Sequence, residues 1–194
     1  MTKWMARPRN RLIGVGIGVA AAAAALAVYA GAYDVAADVP HTRIVYWLLD
    51  TVRNRSVAAR SRNIEIPPDL ADAKRIATGA ALYDDMCSGC HLAPGMERTE
   101  ISQGLYPAAP ELDKGTGLHP AEEFWIIKHG LKMSGMAAWG RTHSDVLIWD
   151  MVAFLRKFPS LSAAQYGALV KSAPADHDEM MRKNRAMPGM NMGN

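Results

Sequence analysis

Apolar residues are distributed along this chain in three different ways, and each predicts a different kind of element. From Leu12 to Ala32 there are 21 residues without a charge. A helix rising 1.5 Å per residue covers about 31 Å over that length, the thickness of a bilayer's hydrocarbon core. The run predicts a membrane-spanning helix within a first segment, residues 1–32. A cleaved signal peptide is the alternative, with Val28-Tyr29-Ala30 as its cleavage site. Its apolar core usually extends over only about 7 to 15 residues, so the length favours an uncleaved anchor. In a second segment, residues 33–66, Ile44, Val45, Tyr46, Trp47, Leu48, Leu49 and Val52 cluster among Arg43, Arg53, Arg55, Arg60 and Arg62. This predicts an amphipathic helix. Two positions suit it equally: the outer headgroups, with aromatics at the interface and arginines toward phosphate, or the surface of the downstream domain.

Pro67-Pro68 ends any helix and opens a third segment, residues 67–160. Here Ala73, Ile76, Ala77, Ala80 and Tyr83 recur at helical spacing up to Cys87, with Asp69 as the expected cap. Gly79 interrupts that face, which suggests that another helix approaches closely. Residues 92–117 show no sustained period, and an irregular stretch of about 25 residues is unusual in a compact domain unless a ligand organises it. Pro120 begins a helix with Glu122 and Glu123 in its first turn and Gly130 at its end. A further helix is expected from Thr142, with Asp145 completing a capping-box pattern, through Ile148, Met151, Val152 and Leu155 to Pro159. The last segment, residues 161–194, holds a short helix from Ser162 to about Ser172 and a polar tail. No strand-length alternation occurs, so the fold class is all-α.

Charge changes the picture by its location. Residues 1–32 contain Lys3, Arg7, Arg9 and Arg11 and no acid, whereas the remaining 162 carry 18 basic and 19 acidic residues. The chain's overall +3 therefore belongs to its N-terminus, and the rest has none of the basic surface that a nucleic-acid backbone requires. Four basic residues before the apolar run, with Asp34 and Asp38 after it, place the N-terminus in the cytoplasm and the rest outside. The expected location is a bacterial inner membrane, crossed once through residues 12–32, with the globular part in the periplasm.

Both cysteines of the chain lie in Cys87-Ser88-Gly89-Cys90-His91. In a CxxCH sequence two thiols can add to the vinyl groups of a haem while the following imidazole reaches the iron. Three other uses of paired cysteines fit less well. A thioredoxin-type CxxC belongs after a strand, a structural zinc site needs a second pair of ligands, and a disulfide across two residues closes almost no loop. A second axial ligand must come from downstream, where His129, Met133 and Met136 are the candidates. Met136 is favoured, because Gly135 before it and Ala137 and Ala138 after it let the backbone approach a haem edge. Met133 reads as a packing residue, His129 as a polar helix end, and His119 and His143 as helix-start residues without a ligand role.

With these motifs in place, residues 70–158 resemble a class I cytochrome c domain. Within that class they are similar to membrane-anchored single-haem cytochromes whose second ligand lies in a K-H-G-x-K-M-x-G-M-P-A-W-G segment, here Lys128 to Gly140. The resemblance covers about half the chain. It implies one haem c attached through Cys87 and Cys90, with His91 as proximal and Met136 as distal ligand. Pro94 matches the proline whose carbonyl receives the proximal imidazole N–H, and Trp139 matches the tryptophan near a haem propionate. Gly79 and Tyr83 match first-helix positions that cross the last helix, here near Trp149 and Val152. Ala137 stands where these relatives have proline, a departure that loosens the methionine loop.

The expected function is electron transfer rather than catalysis. An iron with His and Met on its two faces has no position left for substrate. Residues 64–158 hold nine basic and thirteen acidic residues, a balance of −4 that suits brief docking with redox partners in or on the membrane. Two alternatives are a haem enzyme or gas sensor with an open distal site, and copper handling by the tail. That tail carries His177, Met180, Met181, Met187, Met190 and Met192, whose soft donors suit Cu(I).

Overall fold

The computed structural model describes residues 8–175 and 177–186. Their backbone is helical, with no strand among the described residues, and divides into two compact units, one ending at Val39 and one beginning at Pro40. The first unit contains α1, Pro8–Tyr29. One stretch of it, Asn10–Tyr29, is long and apolar enough to cross a membrane, and its apolar side chains are exposed. The helix stops before the expected Ala32. Ala32 N–H donates back to Ala27 O at 2.9 Å around Gly31, whose φ of 65° supplies the left-handed residue of a Schellman-type end.

The second unit begins with α2, Arg43–Ser61. It packs against α6, Pro120–His129, and buries Val57 and Ser61 toward its C-terminus. Toward its N-terminus Ile44, Trp47, Leu48 and Val52 remain exposed. The core is the crossing of α3, Ala73–Met86, with α7, Asp145–Lys157. Ala80, Leu82 and Tyr83 of α3 and Ile148, Val152 and Phe154 of α7 are almost wholly excluded from solvent. Phe124 of α6 stacks on Trp149 with ring centroids 4.3 Å apart. Helix α8, Ala163–Lys171, adds Tyr166, and α9, His177–Ala186, adds Met180. Residues 161–186 therefore share the core with what precedes them.

Two helix starts differ from those expected. Asp72, not Asp69, caps α3, its carboxylate accepting from the Lys74 and Arg75 amides at 2.9 and 3.2 Å. Asp69 closes the preceding turn instead and pairs with Arg75 at 2.9 Å. The guanidinium also reaches Asp150 on α7 at 2.7 Å, so one arginine joins the cap region of α3 to the crossing helix. Ser144, not Thr142, caps α7 by accepting from the Leu147 amide. Thr142 is withdrawn into the turn before it, donating to Trp139 O.

The close approach expected at Gly79 is present. A Cβ on that residue would collide with the carbonyl of Asp150 and press on Phe154 Cβ. The crossing is centred on these two residues, next to the expected Trp149 and Val152. Since the obstacle is backbone, it cannot swing aside. We expect Gly79→Ala to destabilise the domain by about 3 kcal/mol or more, through forced separation of α3 and α7. A denaturant midpoint within error of the parent would refute this.

Candidate functional site

Helix α3 runs directly into the paired cysteines. Cys87 caps its C-terminus, and α4, Ser88–His91, continues as one further turn in which Cys87 O accepts from Cys90 N at 3.1 Å and His91 N at 2.9 Å. Positions i, i+3 and i+4 of a helical turn share a face, so the two thiols and the imidazole project together. Ser88 Oγ donates to Asp84 O at 2.6 Å, and Thr99 donates to Gly89 O, fixing the turn from both sides.

Tyr83 sets the exit from this turn. Its hydroxyl donates to Leu92 O at 2.6 Å, while its ring lies 5.2 Å from that of Phe154 and 4.8 Å from that of Phe158. Leu92 has φ 62°, a left-handed conformation that leucine rarely adopts and that this buried bond holds in place. The helix-crossing role implied by the resemblance is joined by a second one, anchoring the backbone beside His91. Nothing in the sequence distinguishes such a tyrosine from one that only packs.

His91 Nδ1 lies 2.8 Å from Pro110 O. A carbonyl can only accept, so Nδ1 carries the proton and Nε2 keeps its lone pair. Burial also lowers the His91 pKa, which favours the neutral ring. Neutral imidazole with Nδ1 held by a carbonyl is the form that ligates a metal. The proline is not the one expected. Pro94 sits in a turn closed by Met96 N donating to Ala93 O, and the adjacent Gly95 faces Ala163 of α8. The chain instead returns to His91 nineteen residues downstream, after α5, Glu100–Gly104.

Burial, assisted by neighbouring Cys90, pushes the Cys87 thiol up to about 12. It is thus no resting thiolate of the kind that thiol–disulfide exchange uses. Both cysteines are free and partly buried. Two thiols one turn apart beside an imidazole of this tautomer are the donor set that covalent haem attachment needs, and the residues fit the group.

On the methionine segment, Gly130 ends α6 with φ 64°, and a Cβ there would lie 2.6 Å from Met136 O. Leu131 N donates to Met136 O at 3.2 Å, Ser134 Oγ donates to Leu131 O at 2.8 Å, and Met136 N donates to Ser134 Oγ at 3.2 Å. These bonds close a compact loop. Met136 is partly buried against the core, whereas Met133, at φ 60°, is 79% exposed. Gly135 abuts Leu105, so the methionine loop touches the long segment that follows the cysteines. His129 ends α6 with its ring 5.0 Å from that of Trp125. His119 caps α6, as its helix-start position suggests. Trp139 is partly buried and meets His143 edge-on at 5.7 Å. His143 stands directly before Ser144, the cap of α7, at the helix start its sequence position suggests, and is 3% exposed.

Residues 74–155 match the family model described as cytochrome C oxidase, cbb3-type, subunit III. No curated protein and no solved structure matches the chain. The matched segment runs from the start of α3 to near the end of α7, and so contains the whole core crossing, the CxxCH turn and the methionine loop. The function of such a domain is electron transfer through haem c. Residues 74–155 of this chain are a c-type cytochrome domain.

Proposed function

We propose that the chain is a membrane-anchored, single-haem electron carrier of the bacterial periplasm. Cys87 and Cys90 hold the haem, His91 ligates one face and Met136 the other, and α1 is the uncleaved anchor in the inner membrane. When bound, the group supplies a one-electron Fe(III)/Fe(II) couple. The Pro110 carbonyl orients His91 and raises its donor strength. The closed loop from Leu131 to Met136 presents a neutral thioether, which favours a higher potential than a second imidazole. Trp139 belongs near the propionates. The observation that carries this reading is the His91–Pro110 bond, which dedicates Nε2 to a ligand.

The exposed Ile44, Trp47, Leu48 and Val52 of α2 suit the membrane interface, while its other half rests on the domain. That arrangement combines the two positions its sequence allows. Confinement beside the membrane favours short encounters with redox partners there, and the acidic balance of residues 64–158 favours a partner surface of opposite charge.

Membranes from a host with working cytochrome c maturation test this directly. Alkali-washed membranes should retain the pigment, and the reduced spectrum should be low-spin and unchanged by carbon monoxide. Pigment released to the soluble fraction would remove the anchor. A ready carbon monoxide adduct would replace the carrier with the enzyme or sensor alternative.

A further inference from the structure

Two imidazoles that the proposed haem ligation does not use each leave one nitrogen without a partner among the described residues. His143 precedes α7 and is 3% exposed, and His177 opens α9. Their rings lie nearly parallel, 10° apart, with centroids separated by 5.8 Å. In both, Nε2 is buried without a hydrogen-bond partner among the described residues. An unpaired polar atom in a buried site is costly, and two beside each other call for a shared explanation.

His143 Nδ1 lies 2.9 Å from Thr142 Oγ1, so the enclosed Nε2 is the nitrogen left without a partner among the described residues. A ligating histidine has this arrangement, its second nitrogen held by an outer partner.

Helix geometry adds sulfur. Met180 and Met181 stand three and four residues after His177 and share its face. Met180 is 6% exposed, and Met181 is partly buried against the same core. Two imidazoles set at metal-bridging separation also match the observed ring spacing. An ion about 2.0 Å from each nitrogen puts the ring centroids roughly 5.5 to 6.4 Å apart as the N–metal–N angle opens from trigonal to linear.

We infer that His143 and His177, with thioether support from Met180 and Met181, form a Cu(I) site that pins α9 to the cytochrome domain. Neutral imidazole and thioether donors with no carboxylate among them select a soft monovalent ion over Zn(II) or harder cations. The site does not depend on how the haem iron is ligated. It also differs from the copper handling expected of the whole tail, since Met187, Met190 and Met192 lie outside the described residues and are not needed.

The test uses the full-length, haem-loaded protein, whose cysteines are occupied, titrated anaerobically with Cu(I) in competition with bicinchoninate. One Cu(I) per chain is expected, with the His143 and His177 imidazole NMR signals shifting together. His177→Ala should weaken binding at least about tenfold, and the volume-conserving pair Met180→Leu and Met181→Leu should also weaken it with unchanged helicity. Deleting residues 187–194 should leave binding intact. Failure to compete with bicinchoninate would overturn the site, as would imidazole signals that stay put, loss of copper on deleting 187–194, or Zn(II) held in preference.

Discussion

Replacing Cys87 or Cys90 with serine should reduce mature, pigmented protein to a small fraction of the parent level. The expectation follows from what residues 92–119 have to pack against. Of that stretch only Ala93 and Ser102 are buried. Its order comes from isolated ties: Tyr83 to Leu92 O, Thr99 to Gly89 O and Pro110 O to His91 converge on the CxxCH turn, while Tyr106 accepts from the His41 amide, Thr116 donates to Glu123 and Leu118 O accepts from Arg156. No apolar cluster of its own holds the stretch together, and the haem is expected to be the apolar body that this loop lacks. Binding a group that the unfolded chain cannot hold in place is itself folding free energy. Losing covalent attachment should therefore cost stability as well as colour. Haem stain after denaturing electrophoresis, together with circular dichroism, checks both at once. A colourless variant with the parent's helicity and melting temperature would show that the domain does not need its cofactor to fold.

Met136→Ala should convert a low-spin, carbon-monoxide-inert centre into a high-spin, carbon-monoxide-reactive one, while Met133→Ala leaves the spectrum unchanged. The two side chains are three residues apart but differ in what holds them. Met133 projects into solvent from a left-handed backbone, and Met136 is tied at its amide and carbonyl and packed inward. A thioether is a weak neutral ligand, so its delivery to the iron depends on the loop's order. Ala137 lacks the fixed φ that proline would contribute next to it. Opening of this loop should be measurable even in the parent, as slow displacement of Met136 by excess imidazole. A spectral change in Met133→Ala without one in Met136→Ala would exchange their roles.

Much of this was legible in the chain because the signals are local. Helical spacing from Ala73 to Tyr83, Pro120 and Gly130 around α6, and the CxxCH turn each depend on residues within a few positions. Gly79 announced a crossing before its partner was known. Capping was less legible: Asp69 and Asp72 both precede α3 and both could cap it. The choice fell to Asp72 because Arg75 draws Asp69 into an ion pair that also engages Asp150 on α7. Thr142 and Ser144 present the same ambiguity before α7, settled when Thr142 turned toward Trp139 and His143.

The sequence by itself determined the all-helical class, the apolar run that can span a bilayer, and a CxxCH turn that sets two thiols and an imidazole on one face, since spacing along one helix or across five residues fixes these. Tertiary structure alone decided which carbonyl holds His91, which hydroxyl anchors Leu92, and that His143 meets His177 thirty-four residues away. Pro94 and Pro110 are alike as backbone carbonyl acceptors, and only the path of the returning loop selects between them. Contacts of that range are set by how packed helices bring distant segments together, and no local pattern encodes them.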